Sequence, residues 1–238
     1  MSKTYLWIED REGKASYTFW KSLLTHLFPE VILESKKNNS ELVKSVTELK
    51  DEENTYIIVF DNSFDNLCVY QELKRLKQCV AAKNNVKLMN IICFEYILLE
   101  FDKLFQWIYA EEDDFWSKRS KAIDARNKLV TALNSGEMEY KLLRDVVEYD
   151  TKIESHNIEQ LAAKLLFDLT RNTGFEVSKG KLGDCWFKSC CEWEEKEDND
   201  VCGLSIAPLH NSEKMKSIYL GTSLHAKITE VGLEASVC

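Results

Sequence analysis

The first hundred residues carry a pattern that few folds can satisfy: short apolar runs, each followed by a stretch of helical periodicity. Tyr5-Leu-Trp-Ile8 precedes Gly13 to Leu27, where Tyr17, Phe19, Trp20, Leu23, Leu24 and Leu27 recur at helical spacing before Pro29. Val31-Ile-Leu33 leads to a helix opened by Ser40 and carrying Leu42, Val43, Val46 and Leu49. Thr55-Tyr-Ile-Ile-Val-Phe60 precedes a helix from Asn66 to Ala82, and a fourth strand spans Val86 to Ile92. The third run is apolar from Tyr56 to Phe60 and therefore expected to be buried on both faces, as in a parallel sheet covered by crossover helices. An α/β fold with a four-stranded parallel sheet is expected.

Ligands of such sheets sit beyond the carboxyl ends of the strands. Here those ends carry acids: Glu9 and Asp10 after the first strand, Asp61 and Asp65 after the third, and Glu95 past the fourth. Converging carboxylates suit Mg²⁺ or Mn²⁺, hard cations that take oxygen ligands and keep waters for substrate phosphates. Acids also follow strands because strand ends reach solvent and Asp caps helices, so each residue alone has an ordinary explanation.

The order of these acids resembles the TOPRIM domain of OLD-family and RloB-like nucleases and of related effectors of bacterial anti-phage defence. The likeness lies in Leu6-Trp-Ile-Glu9, in Ile57-Ile-Val-Phe-Asp61-Asn-Ser-Phe-Asp65, and in Cys93-Phe-Glu95-Tyr-Ile-Leu-Leu-Glu-Phe101, and covers roughly residues 4 to 105. It implies a TOPRIM-like sheet and metal-dependent cleavage of RNA, tRNA or DNA. Glu9 would serve as metal ligand or general acid/base, Asp61 and Asp65 would hold Mg²⁺ or Mn²⁺, and Glu95 would complete the catalytic cluster. Two positions depart from the family pattern: Asp10 stands where Gly is common, and Ser63 where the second Asp falls. Asp10 could act as a further ligand, and the Ser63 departure leaves open a catalytically inactive module that serves protein interaction. The same resemblance implies a toxin-like role in antiviral defence, with any ATPase or reverse transcriptase supplied by a separate chain, since no Walker-type glycine loop occurs.

The remainder divides by composition into a helical region, 111–173, and a Cys-rich unit, 174–238, after an α/β domain at 1–110. Phe94 to Tyr109 reads as one helix, followed by helices over Glu111 to Leu133, Glu139 to Tyr149 and Asn157 to Thr170. Five of the eight cysteines fall after Gly174. Cys185, Cys190 or Cys191, and Cys202, with His210, could ligate a structural Zn²⁺, although the spacing lacks the tight Cys-x-x-Cys knuckle and the thiols could equally pack as small apolar groups.

With 31 Lys+Arg against 40 Asp+Glu, the net charge is −9, which argues against a general nucleic-acid coat. It leaves room for an enzyme that meets phosphate through cations. The basic, aromatic stretch containing Lys118, Arg119, Lys121 and Arg126 is the candidate for nucleic-acid contact, or else an exposed helix of charge pairs. The apolar helix at 94–109 could pack as core or as a homodimer interface. Neither a signal peptide nor a membrane-length apolar run is visible, so a cytoplasmic location is expected.

Overall fold

The computed structural model describes residues 2–62, 66–108, 113–137, 139–149, 157–178, 180–191 and 209–235. Four strands, β1 (Thr4–Ile8), β2 (Val31–Ser35), β3 (Thr55–Asp61) and β4 (Val86–Ile91), form one sheet in the order β2-β1-β3-β4. Every pairing is parallel, with Trp7 opposite Ile58 and Asp61 opposite Ile91. The chain is an α/β protein, as the strand–helix alternation requires.

Alternation along the strands divides the core. Leu6, Ile8, Ile57, Val59, Met89 and Ile91 face α1 (Ala15–Leu27) and the later helices. Trp7, Tyr56, Ile58 and Phe60 face α2 (Asn39–Glu48) and α3 (Leu67–Ala81), where Leu42, Val46, Leu73 and Leu76 are buried against them. Helix starts follow side-chain chemistry: Asn38 caps α2, in place of the expected Ser40, and Asn66 caps α3 by accepting from the Cys68 and Val69 amides.

Beyond the sheet lie α4 (Phe94–Glu100), α5 (Leu104–Trp107), α6 (Asp113–Asn134), α7 (Tyr140–Val147) and α8 (Ile158–Thr170). The single helix expected over residues 94–109 is broken at Phe101, whose ψ of 120° leaves the helical region while its ring is fully buried. The carbonyls released there are taken by Arg126, whose Nε donates to Leu99 at 2.6 Å and whose Nη2 donates to Phe101 at 3.2 Å. A small hairpin, β5 (Val177–Ser178) with β6 (Lys181–Leu182), precedes α9 (Asn211–Leu220) and α10 (Leu224–Glu230).

One apolar cluster runs through all three compositional segments, joining Phe19 of α1, Leu98 of α4, Leu129 of α6, Leu165 of α8, Trp186 and Met215 of α9. Trp186 is fully buried against Phe175 and Trp107, and its Nε1 donates to the Phe175 carbonyl. Gly183 makes this turn possible, since a β-carbon there would collide with the Gly174 carbonyl. Among the described residues, no helix is long and apolar enough to cross a membrane.

Lys214 of α9 is buried, and its ammonium donates to the carbonyls of Cys185 and Lys188, both at 2.9 Å. Because hydrogen bonds from charged donors are the stronger kind, this side chain pins the Cys185 turn to α9. Lys214→Met keeps the stem and removes both bonds; unfolding free energy in urea should fall by about 2–4 kcal/mol. A loss under about 1 kcal/mol would show that the turn is held by packing alone.

Candidate metal centre at the carboxyl edge of the sheet

Parallel pairing delivers the strand ends to one edge. The Lys36 amide donates to Ile8 and the Asn62 amide to Ile91, each at 2.7 Å, so the backbone is tied up to the point where Glu9 and Asp61 leave the sheet. Continuing the β1–β3 register past Trp7 and Ile58 sets Glu9 level with Phe60, one residue short of Asp61. Glu95 enters from the first turn of α4, directly after β4. Asp10 is held by the hydroxyl of Ser16, which donates to its Oδ2 from the first turn of α1.

All three of Glu9, Asp61 and Glu95 are partly covered and electrostatically linked. Burial is the largest influence on each, and it disfavours the charged form. Glu9 is pushed up to about 8, by burial first and then by the charges of Asp10, Glu159, Glu72 and Glu95. Asp61 is raised well above the usual carboxylate range by burial, then by Glu9, Glu95, Glu159 and Asp10. Glu95 rises to about 7 through burial and the charges of Glu159 and Asp10, although its own amide and the Cys93 thiol hydrogen-bond to it and favour ionisation. Cys93 is fully buried, and its thiol is pushed up by burial and by Glu95 and Asp61.

Glu159 is the functional candidate that sequence reasoning missed. It lies in the first turn of α8, after Asn157, whose side chain caps that helix by accepting from the Gln160 amide at 2.9 Å. The signal in the sequence was an acid two residues after a capping Asn at the head of an amphipathic helix. What was invisible is that α8 packs on α4 and so brings its N-terminus to the acidic edge.

The donor set fits a hard divalent cation: carboxylate oxygens only, crowded, and in part stripped of water. Among the described residues, none of Glu9, Asp61 and Glu95 is ion-paired with Lys, Arg or His. Nor do any three His, Cys, Asp or Glu side chains among those residues close tightly enough to grip an ion. Asp65 and Ser63 lie outside the described residues.

The remaining candidates lie on later segments of the chain. Cys185 packs its sulfur against Gly174, the Cys190 amide donates to Leu209 at 3.0 Å, and the His210 amide donates to Glu213 at the head of α9. Cys191 is partly exposed, and Cys202 lies outside the described residues. On the expected nucleic-acid helix, Lys118 and Lys121 are exposed. Arg119 is buried and donates to the carbonyls of Asp168, Leu169 and Arg171, closing the end of α8, while Arg126 closes α4. These two guanidiniums serve helix ends, a role their sequence context did not announce.

No protein-family model matches the chain, and no curated protein matches it by sequence. Among solved structures it is similar to the C-terminal region of the OLD protein of Xanthomonas campestris pv. campestris, at 11% identity over 97% of this chain and 98% of that one, with a TM-score of 0.33.

The raised carboxyls set a direction for stability. Between about pH 5 and 8 the unfolded chain releases protons from Glu9 and Glu95 that the folded chain retains, so metal-free stability falls as pH rises through this window. The fall should be of order a few kcal/mol. Glu9→Gln should flatten the curve, and millimolar Mg²⁺ or Mn²⁺ should raise the melting temperature more near pH 8 than near pH 5. A flat pH profile together with identical melts in EDTA and in Mn²⁺ would remove the electrostatic basis of the site.

Proposed function

We propose that the chain is a divalent-metal-dependent nuclease of TOPRIM type, cleaving phosphodiester bonds in RNA, tRNA or DNA. The observation that carries this reading is the set of partly covered carboxylates, Glu9, Asp61 and Glu95, gathered where adjacent parallel strands end, none of them ion-paired with Lys, Arg or His among the described residues. Maintaining such repulsion is unfavourable for the apo fold, so a stability role does not account for it. Glu9 and Asp61 would hold Mg²⁺ or Mn²⁺, with Asp10, Asp65, Glu95 and Glu159 as further oxygen donors. The ion would supply charge neutralisation for the phosphate and a more acidic bound water.

The chain's own groups fill the remaining roles. Glu9, pushed up to about 8 in the metal-free chain, would give up its proton on ligating the ion; where it does not ligate, it is the carboxyl placed for general acid/base work. Glu95, at about 7, exchanges protons in the same range, and the Cys93 thiol orients it. Asp10, tied to Ser16, gives the β1–α1 turn a fixed position beside Glu9. A toxin-like place in anti-phage defence, with a separate ATPase or reverse-transcriptase partner, follows from the TOPRIM resemblance.

The test is incubation with tRNA, other RNA, and single- and double-stranded DNA in Mn²⁺ or Mg²⁺, comparing the wild type with Glu9→Gln and Asp61→Asn. Each substitution should lower cleavage by about 100-fold or more. Each also relieves repulsion and should raise the apo melting temperature, so lost activity cannot be attributed to unfolding. Cleavage that survives both substitutions rejects this site; absence of cleavage on every substrate favours the inactive interaction module that Ser63 allows.

A further inference from the structure

At the opposite end of α8 from Glu159, residues of α6, α7 and α8 and of the segments that follow α7 and α8 line an open cleft of about 540 Å³. Six basic side chains line it, Lys118, Arg119, Lys121, Lys128, Lys164 and Arg171, in a chain whose net charge is −9. Three acids share the lining and have identifiable tasks. Asp168, buried at the hub, accepts from the Tyr149 hydroxyl at 2.6 Å and from Lys164, with Arg171 at 4.0 Å. Asp124 and Glu148 both hold Lys128, at 3.1 and 3.4 Å. The excess of positive charge is thus built around anchored groups, and burial plus the neighbouring charge of Arg171 holds Arg119 below its ordinary pKa. Lys121 is exposed at the rim and makes no ion pair among the described residues.

The geometry points to this cleft as a phosphate-binding subsite for the backbone of a nucleic acid, remote from the acidic edge. The inference rests on the nuclease reading, which it deepens by saying where the substrate is gripped. Clustered cations with a fixed carbonyl and carboxylate scaffold suit phosphate oxygens and carry no base preference. Nine residues of α8 separate Glu159 from Asp168, about 14 Å at ~1.5 Å per residue. Gripping the strand there compensates for an acidic edge that would itself repel phosphate.

Fluorescence anisotropy in EDTA, with single-stranded RNA and DNA of one sequence as probes, isolates this subsite from any metal. The double variant Lys118→Gln/Lys121→Gln, at two exposed lysines of the lining, should weaken binding about tenfold and lower the slope of log Kd against log salt by about 1.4, at ~0.7 for each cation on a single strand. Lys74→Gln/Lys77→Gln, on α3 across the sheet, should change affinity less than about twofold. Loss on both probes identifies the shared phosphate backbone, and loss on one assigns the sugar as well. An unchanged Kd in the first variant, an equal loss in the second, or no binding by the wild type overturns the subsite. Cleavage that needs Asp61 while Lys118→Gln/Lys121→Gln leaves KM unchanged also overturns it and leaves the nuclease reading standing. Pocket-dependent binding with no cleavage in any metal does the reverse.

Discussion

Parallel pairing of β1 with β3 is the constraint on which the rest depends. It forces each connection to cross over a face, which places α1 on one side and α2 and α3 on the other. It also makes strands end where their neighbours end, so that Glu9 and Asp61 meet although 51 residues of chain lie between them. A sheet of this kind concentrates whatever follows its strands. In this chain it concentrates negative charge, and burial magnifies the effect by removing the water that would screen it.

A second theme is the use of long cationic side chains, Arg119 and Lys214 buried among them, to take up carbonyls at helix ends and turns. Arg126 takes the carbonyls exposed where α4 breaks, Arg119 takes those at the end of α8, Lys87 reaches Val231 beyond α10 at 2.9 Å, and Lys214 holds the turn after Cys185. Each satisfies oxygens that a helix cannot satisfy internally. With only 8 Gly and 2 Pro in the chain, the backbone has few of the usual terminators, and long cationic side chains reach across to perform that task.

The sheet and its acidic edge were legible because both are local. An apolar run such as Tyr56 to Phe60 states its own burial, and Asp61 follows it directly. Glu95 was legible for the same reason, four residues past the end of β4. Glu159 was not, because its place depends on the docking of α8 against α4, a contact between distant segments. The break at Phe101 was hidden by a periodicity that continues through it; tertiary carbonyl acceptance by Arg126 makes the interruption tolerable. Arg119 illustrates the same limit: a basic residue on a charged helix reads as surface, and only the packing of α6 on α8 turns it inward.

The origin of Glu159 in α8 makes the charge of the site depend on a helix far along the chain. Docked, α8 buries Leu161, Leu165, Leu166 and Leu169 in the core and adds a further negative charge beside carboxyls that already resist ionisation. The apolar face of α8 thus holds in place a charge that the acidic edge by itself would repel.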